Sequence, residues 1–283
     1  MASFTNFATL SYNGGTTNSN IVTGEILEAL TAVKTAVSAN YSAGDRITYA
    51  LSLVNTGTAA VTDYTVTDNL GGYTVGANTV YPLAYNAGTV RYYINGVLQA
   101  SPTVTAGPPL TVTGLTVPAG GSAVLIYETT ATPVAPLATG SSITNTATIT
   151  GAGLTNPITA QATVETANSA ELSISKALSP TTVTENGQIT YTFVISNTGN
   201  TEATATGNVI VTDTFAPILR NIAVTYNGTA WTEGTNYTYN AATGVFTTLA
   251  GQITVPAATF TQNTDGTFTV TPGTATLVIT GTV

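Results

Sequence analysis

Ile47-Thr48-Tyr49-Ala50-Leu51-Ser52-Leu53-Val54 alternates apolar and polar residues and runs into Asn55-Thr56-Gly57. A period of two is the pattern of a half-buried β-strand, and Asn-Thr-Gly supplies a turn. The stretch returns in the second half of the chain as Ile189-Thr190-Tyr191, followed by Asn197-Thr198-Gly199. Lys34 and Lys176 precede the two copies at the same spacing. Val66-Thr67-Asp68 returns as Val211-Thr212-Asp213 after a short insertion, and the hairpin signal Asn95-Gly96 returns as Asn227-Gly228. Val124-Leu125-Ile126-Tyr127 corresponds to Thr276-Leu277-Val278-Ile279. Short alternating strands with frequent turn signals predict an all-β chain of two tandem Ig-like β-sandwich domains. Glu25–Val37 has a helical composition, but its counterpart Leu172-Ser173-Ile174-Ser175-Lys176 alternates, so a strand is expected there too.

A second repeat crosses the first. Phe4-Thr5-Asn6-Phe7-Ala8-Thr9-Leu10-Ser11 registers without a gap on Ile143-Thr144-Asn145-Thr146-Ala147-Thr148-Ile149-Thr150, and Gly14 falls close to Gly153. The downstream copy is expected to close the first domain. No third copy follows within these 283 residues, so the second domain is expected to lack its last strand. The expected organisation is a donor strand and flexible polar linker over 1–20, a first domain over 21–166 and a second over 167–283. The first strand of one molecule is expected to complete the second domain of another.

Composition narrows the function. Charged residues make up 6% of the chain, against about 25% in an ordinary soluble domain. The net charge of -8 argues against a nucleic-acid partner, which needs Lys and Arg clusters. Cysteine and histidine are both absent, which removes disulfides, thiolate metal sites and the commonest general base. No apolar run has the ~20 residues that span a bilayer, so no membrane insertion is expected. Met1-Ala2-Ser3-Phe4 shows neither the basic nor the apolar region of a secretory signal.

The shared order of a lysine ending the first strand, Gly-x-x-Ile-Thr-Tyr, Asn-Thr-Gly, Val-Thr-Asp and Asn-Thr-Ala-Thr resembles the bacterial conserved repeat domain. That domain is an Ig-like module of prokaryotic surface proteins. The likeness covers residues 26–150 and 168–283. The first strand and its lysine also resemble the pilin and adhesin domains that form internal Lys–Asn isopeptide bonds. The resemblance implies an extracellular structural role and supplies neither substrate nor cofactor.

The chemistry follows from side-chain direction. Residues two apart in a strand share a face. Lys34 therefore lies with Leu30 and Ala32, and Lys176 with Leu172 and Ile174. Asp68 lies with Val66, Asp213 with Val211, and Asn145 with Ile143, Ala147 and Ile149. Asn6 lies with Phe4, Ala8 and Leu10. Each polar residue is thus expected in a core. These are the only two lysines of the chain. Burial favours the neutral amine, which is a nucleophile, and a protonated Asp can polarise the amide carbonyl. The expected bonds are Lys34–Asn145 within a chain, promoted by Asp68, and Lys176–Asn6 between chains, promoted by Asp213. The plainer alternative is a buried Lys–Asp pair capped by Asn. Tyr49 and Tyr191 are expected as core residues with hydrogen-bonded hydroxyls.

The function expected is a subunit of an extracellular filament on a cell or spore surface. Its partner is itself, joined head to tail. No cofactor, metal, small-molecule substrate or enzymatic turnover is expected beyond the autocatalytic cross-link. The alternative is a monomeric adhesin or stalk that binds a host or matrix ligand.

Overall fold

A computed structural model describes residues 2–26, 29–151, 154 and 156–283. Among them the regular structure is β-strand, apart from a single 3-10 turn at Ala205–Gly207. It forms two compact units, residues 1–135 with 142–165, and 136–141 with 166–283.

The first unit is a sandwich of two six-stranded sheets. One sheet runs in the order Val97–Leu98, Arg91–Ile94, Ser122–Ala131, Arg46–Asn55 and Leu30–Ala36, with Leu83–Tyr85 also paired to Ser122–Ala131. The other runs Thr103–Thr105, Leu110–Val117, Val61–Asp68, Ser142–Thr150, Ile158–Thr166 and Asn40–Tyr41. Alternation places Ile47, Tyr49, Leu51 and Leu53 inward, against Tyr64, Val66, Leu110 and Ile149. The Asn-Thr-Gly turn is held by its asparagine. Asn55 is buried, its Oδ1 accepts from Gly57 N at 2.9 Å, and its Nδ2 donates to Ala59 O at 2.8 Å. Asn197 does the same with Gly199 N at 2.9 Å and Thr201 O at 2.7 Å. Asn95-Gly96 and Asn227-Gly228 both take positive φ, the geometry that lets a two-residue turn follow the twist of its strands.

The second unit has one sheet of Leu172–Ser179, Gln188–Asn197, Gly273–Thr282, Arg220–Tyr226 and Thr229–Trp231. Facing it is a three-stranded sheet of Thr212–Thr214, Val245–Thr248 and Tyr237–Asn240. Its core gathers Phe193, Phe215, Phe246, Leu277 and Ile279.

Two expectations need correcting. The N-terminal segment is not a lone strand followed by a flexible linker. Ala2–Asn6 pairs antiparallel with Val22–Ile26, and Thr9–Tyr12 pairs with Gly15–Asn18. A strand edge has unpaired backbone groups, and folding back satisfies one side. Within this hairpin the pairing shifts by one residue between Asn6↔Val22 and Thr9↔Asn18. Ser142–Thr150 is also not the last strand of the first domain. Ile158–Thr166 follows it and covers its outer edge over eight residue pairs. Val22–Ile26 and Leu30–Ala36 are strands, whereas Leu27, Glu28 and Gly153 lie outside the described residues.

Candidate functional site

In the first unit three strands converge on one charge. Lys34 lies on the sheet-edge strand Leu30–Ala36, and Asp68 ends Val61–Asp68 in the opposite sheet. Both side chains are buried, and Lys34 Nζ donates to Asp68 Oδ2 at 2.5 Å. The strand Ser142–Thr150 runs beside the aspartate strand with Ala147 opposite Asp68. Asn145 is two residues along on the same face and is fully buried. Neither Oδ1 nor Nδ2 of Asn145 has a hydrogen-bond partner. An unpaired buried polar atom costs ~1–3 kcal/mol, so an amide left so is poorly explained as a structural cap.

Aromatic rings floor the site. Lys34 Nζ lies 4.9 Å from the Tyr49 ring centre and 5.8 Å from that of Tyr127, and the two rings stack. The Tyr127 hydroxyl donates to Asp68 Oδ2, and Leu70 N donates to Asp68 Oδ1 at 2.9 Å. Burial lowers the Lys34 pKa to about 8 against the opposing pull of Asp68. Burial pushes the Tyr127 and Tyr49 hydroxyls well up. The buried Tyr49 hydroxyl lies beside Asn145, which favours its ionised form, although the contact falls short of hydrogen-bond geometry.

Sequence reading missed Tyr127. The signal was available, because Tyr127 faces Tyr49 across its ladder where Ile279 faces Tyr191 in the second unit. A phenol replacing an aliphatic residue at one of two matched core positions marks the difference. Glu128, the neighbouring acid, lies outside the site and pairs with Arg46 at 3.6 Å on the surface.

The second unit repeats the lysine and aspartate without the asparagine. Lys176 Nζ contacts Asp213 Oδ2 and lies 4.5 Å from the Tyr191 ring centre and 5.5 Å from that of Phe215. Lys176 was expected in the core, but its side chain is 40% exposed, against 0% for Lys34. The whole strand Leu172–Ser179 is exposed, with Ile174 at 54%. Leu172, Ile174, Ile195, Ile210 and Val211 line an open groove of about 200 Å³. Thr212–Thr214 is an edge strand of its sheet, and among the described residues nothing pairs with the side that Ser142–Thr150 covers in the first unit. Asn6, in the hairpin, faces solvent opposite Val22.

Neither the protein-family models nor the curated proteins contain a match to the sequence. Among solved structures, the pilus backbone RrgB from Streptococcus pneumoniae is similar over 86% of this chain and 55% of its own length, at 14% identity and a TM-score of 0.36. BcpA, the major pilin subunit of Bacillus cereus, is similar over 96% of this chain and 73% of its own, at 14% identity and a TM-score of 0.36. The collagen adhesin CNA from S. aureus is similar over 56% of each chain, at 13% identity and a TM-score of 0.31. This chain therefore spans about half the length of the pneumococcal protein. These three are pilin or adhesin proteins, and a family 123 glycoside hydrolase from Clostridium perfringens is also similar, over 49% of this chain at 10% identity and a TM-score of 0.32.

Proposed function

We propose that this chain is the structural subunit of an extracellular filament on a cell or spore surface. Subunits join head to tail by donor-strand complementation and are sealed by Lys–Asn isopeptide bonds. One observation carries the reading. Among the described residues, the place beside the aspartate strand is filled by Ser142–Thr150 in the first unit and open in the second, and a near copy of the filler sits exposed at residues 4–11. An apolar groove beside an unpaired strand edge is a surface that proteins ordinarily cover.

The register of the first unit transfers directly. Ala147, Thr148 and Ile149 stand opposite Asp68, Thr67 and Val66. A donor in the same register puts Ala8, Thr9 and Leu10 opposite Asp213, Thr212 and Val211. Asn6 then reaches the position beside Lys176 that Asn145 holds near Lys34. A one-residue slip would turn every donor side chain to the other face, so the groove selects the register.

The bond-forming step balances within the site. The lysine passes one proton to the aspartate and becomes a neutral amine. Its nitrogen attacks Cγ of the asparagine, while the protonated aspartate hydrogen-bonds the carbonyl oxygen. The aspartate then carries a proton from the attacking nitrogen to the departing amide nitrogen, which leaves as ammonia. One C–N bond forms and one breaks, with no oxidant or cofactor. In the first unit the Tyr127 hydroxyl also holds the aspartate, and in the second no phenol occupies that place.

The test is electrophoresis of assembled protein. Wild-type fibres should survive boiling in detergent as a ladder of multimers. Asn6→Ala should still assemble, seen by electron microscopy, yet fall to monomers on boiling. Monomers from boiled wild-type fibres would reject the intermolecular bond, and failure of the wild type to form fibres would reject the filament.

A further inference from the structure

We infer that the donated element is the whole N-terminal hairpin, residues 2–26, and not the single strand that the register alone requires. The inference rests on the donor-strand reading above and names the partner surface more fully.

In the first unit the asparagine strand does not work alone. Ile158–Thr166 pairs along its outer edge, and Glu165 N donates to Ala39 O at 2.9 Å, tying this second strand to the Asn40–Tyr41 segment. Over Ser3–Asn6 and Val22–Glu25 the N-terminal hairpin reproduces the pairing of these two strands. Ser3 faces Glu25, Phe4 faces Gly24, Thr5 faces Thr23 and Asn6 faces Val22. In the first unit Ser142 faces Glu165, Ile143 faces Val164, Thr144 faces Thr163 and Asn145 faces Ala162. Thr23-Gly24-Glu25 thus copies Thr163-Val164-Glu165, in pairing as well as in sequence. The likeness of the first strand alone would not produce this second one.

The inward cross-strand pair shows compensation. Ile143 and Val164 are both buried. Their counterparts are a larger residue, Phe4, and a residue with no side chain, Gly24. The Phe4 ring already lies over Gly24, so that a Cβ there would come within 2.4 Å of Phe4 Cζ. Protein interiors tolerate exchanges that conserve volume. Phe4 with Gly24 fills the space of Ile143 with Val164 only if both strands enter together. A lone donor would also leave its own outer edge unpaired. In chain order, each hairpin leads through a short connection into a lysine strand, Leu30–Ala36 or Leu172–Ser179. The junction between subunits therefore repeats the order of elements found inside one chain.

The hairpin's second strand should land beside Thr181, the counterpart of Ala39. Full-length chains carrying Glu25→Cys are mixed with chains carrying Thr181→Cys, both with Asn6→Ala so that no isopeptide masks the result. A parallel mixture pairs Thr9→Cys with Thr212→Cys and reports the first strand. Thr9, Thr181 and Thr212 are exposed, so these changes spare the core, and the chain has no other cysteine. After assembly and oxidation, a disulfide dimer in both mixtures is the expected result. A dimer in the Thr9/Thr212 mixture alone would overturn the hairpin and leave the single-strand donor standing. A dimer in neither would overturn both.

Discussion

Removing the two large donor side chains should weaken assembly by a calculable amount. Phe4 is 54% exposed and Leu10 63% exposed in the free chain. Full burial of such side chains contributes ~1.5–3 kcal/mol each. Only the part still exposed is gained on insertion, which leaves roughly 1–2 kcal/mol each and about 2–4 kcal/mol together. At about 1.4 kcal/mol per tenfold, Phe4→Ala with Leu10→Ala should raise the critical concentration for assembly ~30- to 700-fold. The assay is sedimentation of fibres across a concentration series, in the Asn6→Ala background so that assembly stays reversible. Thr5→Ala is the control, because its counterpart Thr144 remains exposed in the closed domain. An unchanged critical concentration for the double variant, or an equal rise for Thr5→Ala, would refute the reasoning.

The intact mass of the unassembled chain should fall short of the sequence mass by one ammonia, and Asp68→Ala should restore it; full mass in the wild type would leave only the ion pair. In Asn145→Ala, which cannot form the bond, stability should rise with pH from about 8, the folded value for Lys34, to ~10.4, its unfolded value. Over that window the unfolded chain binds more protons, so raising the pH favours the fold. Above pH ~10 the sign reverses. Burial raises the pKa of Tyr41, Tyr49, Tyr64 and Tyr127, so the folded chain keeps protons that the unfolded chain loses. Thermal melts that stay flat between pH 8 and 10 would contradict this. Gly24→Val should impair assembly by colliding with the Phe4 ring, and adding Phe4→Ile should restore it, since the pair then matches Ile143 and Val164. Failure of the second change to rescue the first in sedimentation would contradict the shared seat.

Periodicity and turn chemistry made the sandwich legible. Ile47–Val54 alternates because one face is buried, and Asn55-Thr56-Gly57 turns because an asparagine amide can replace backbone partners. Both causes act within a few residues, so both are written locally. Lys34 and Asp68 were legible for a related reason, since a polar residue in phase with an apolar face has to enter the core. Tyr127 was not, because its role depends on which strand lies opposite, and Tyr49 is distant in sequence.

The second half of the chain shows where local reading ends. By itself the sequence determined the two copies, the side each lysine faces and the likeness of residues 3–11 to the asparagine strand. It did so because period two and repeat spacing need no knowledge of distant partners. Only the tertiary structure decided that Lys34 is sealed while Lys176 is 40% exposed. Only it decided that Gly15–Asn18 pairs back as part of a hairpin, and that Ile158–Thr166 covers the edge of the asparagine strand. Burial and edge pairing are relations between segments far apart in the chain. Two identical local patterns therefore end in different states when only one has its neighbouring strand in place.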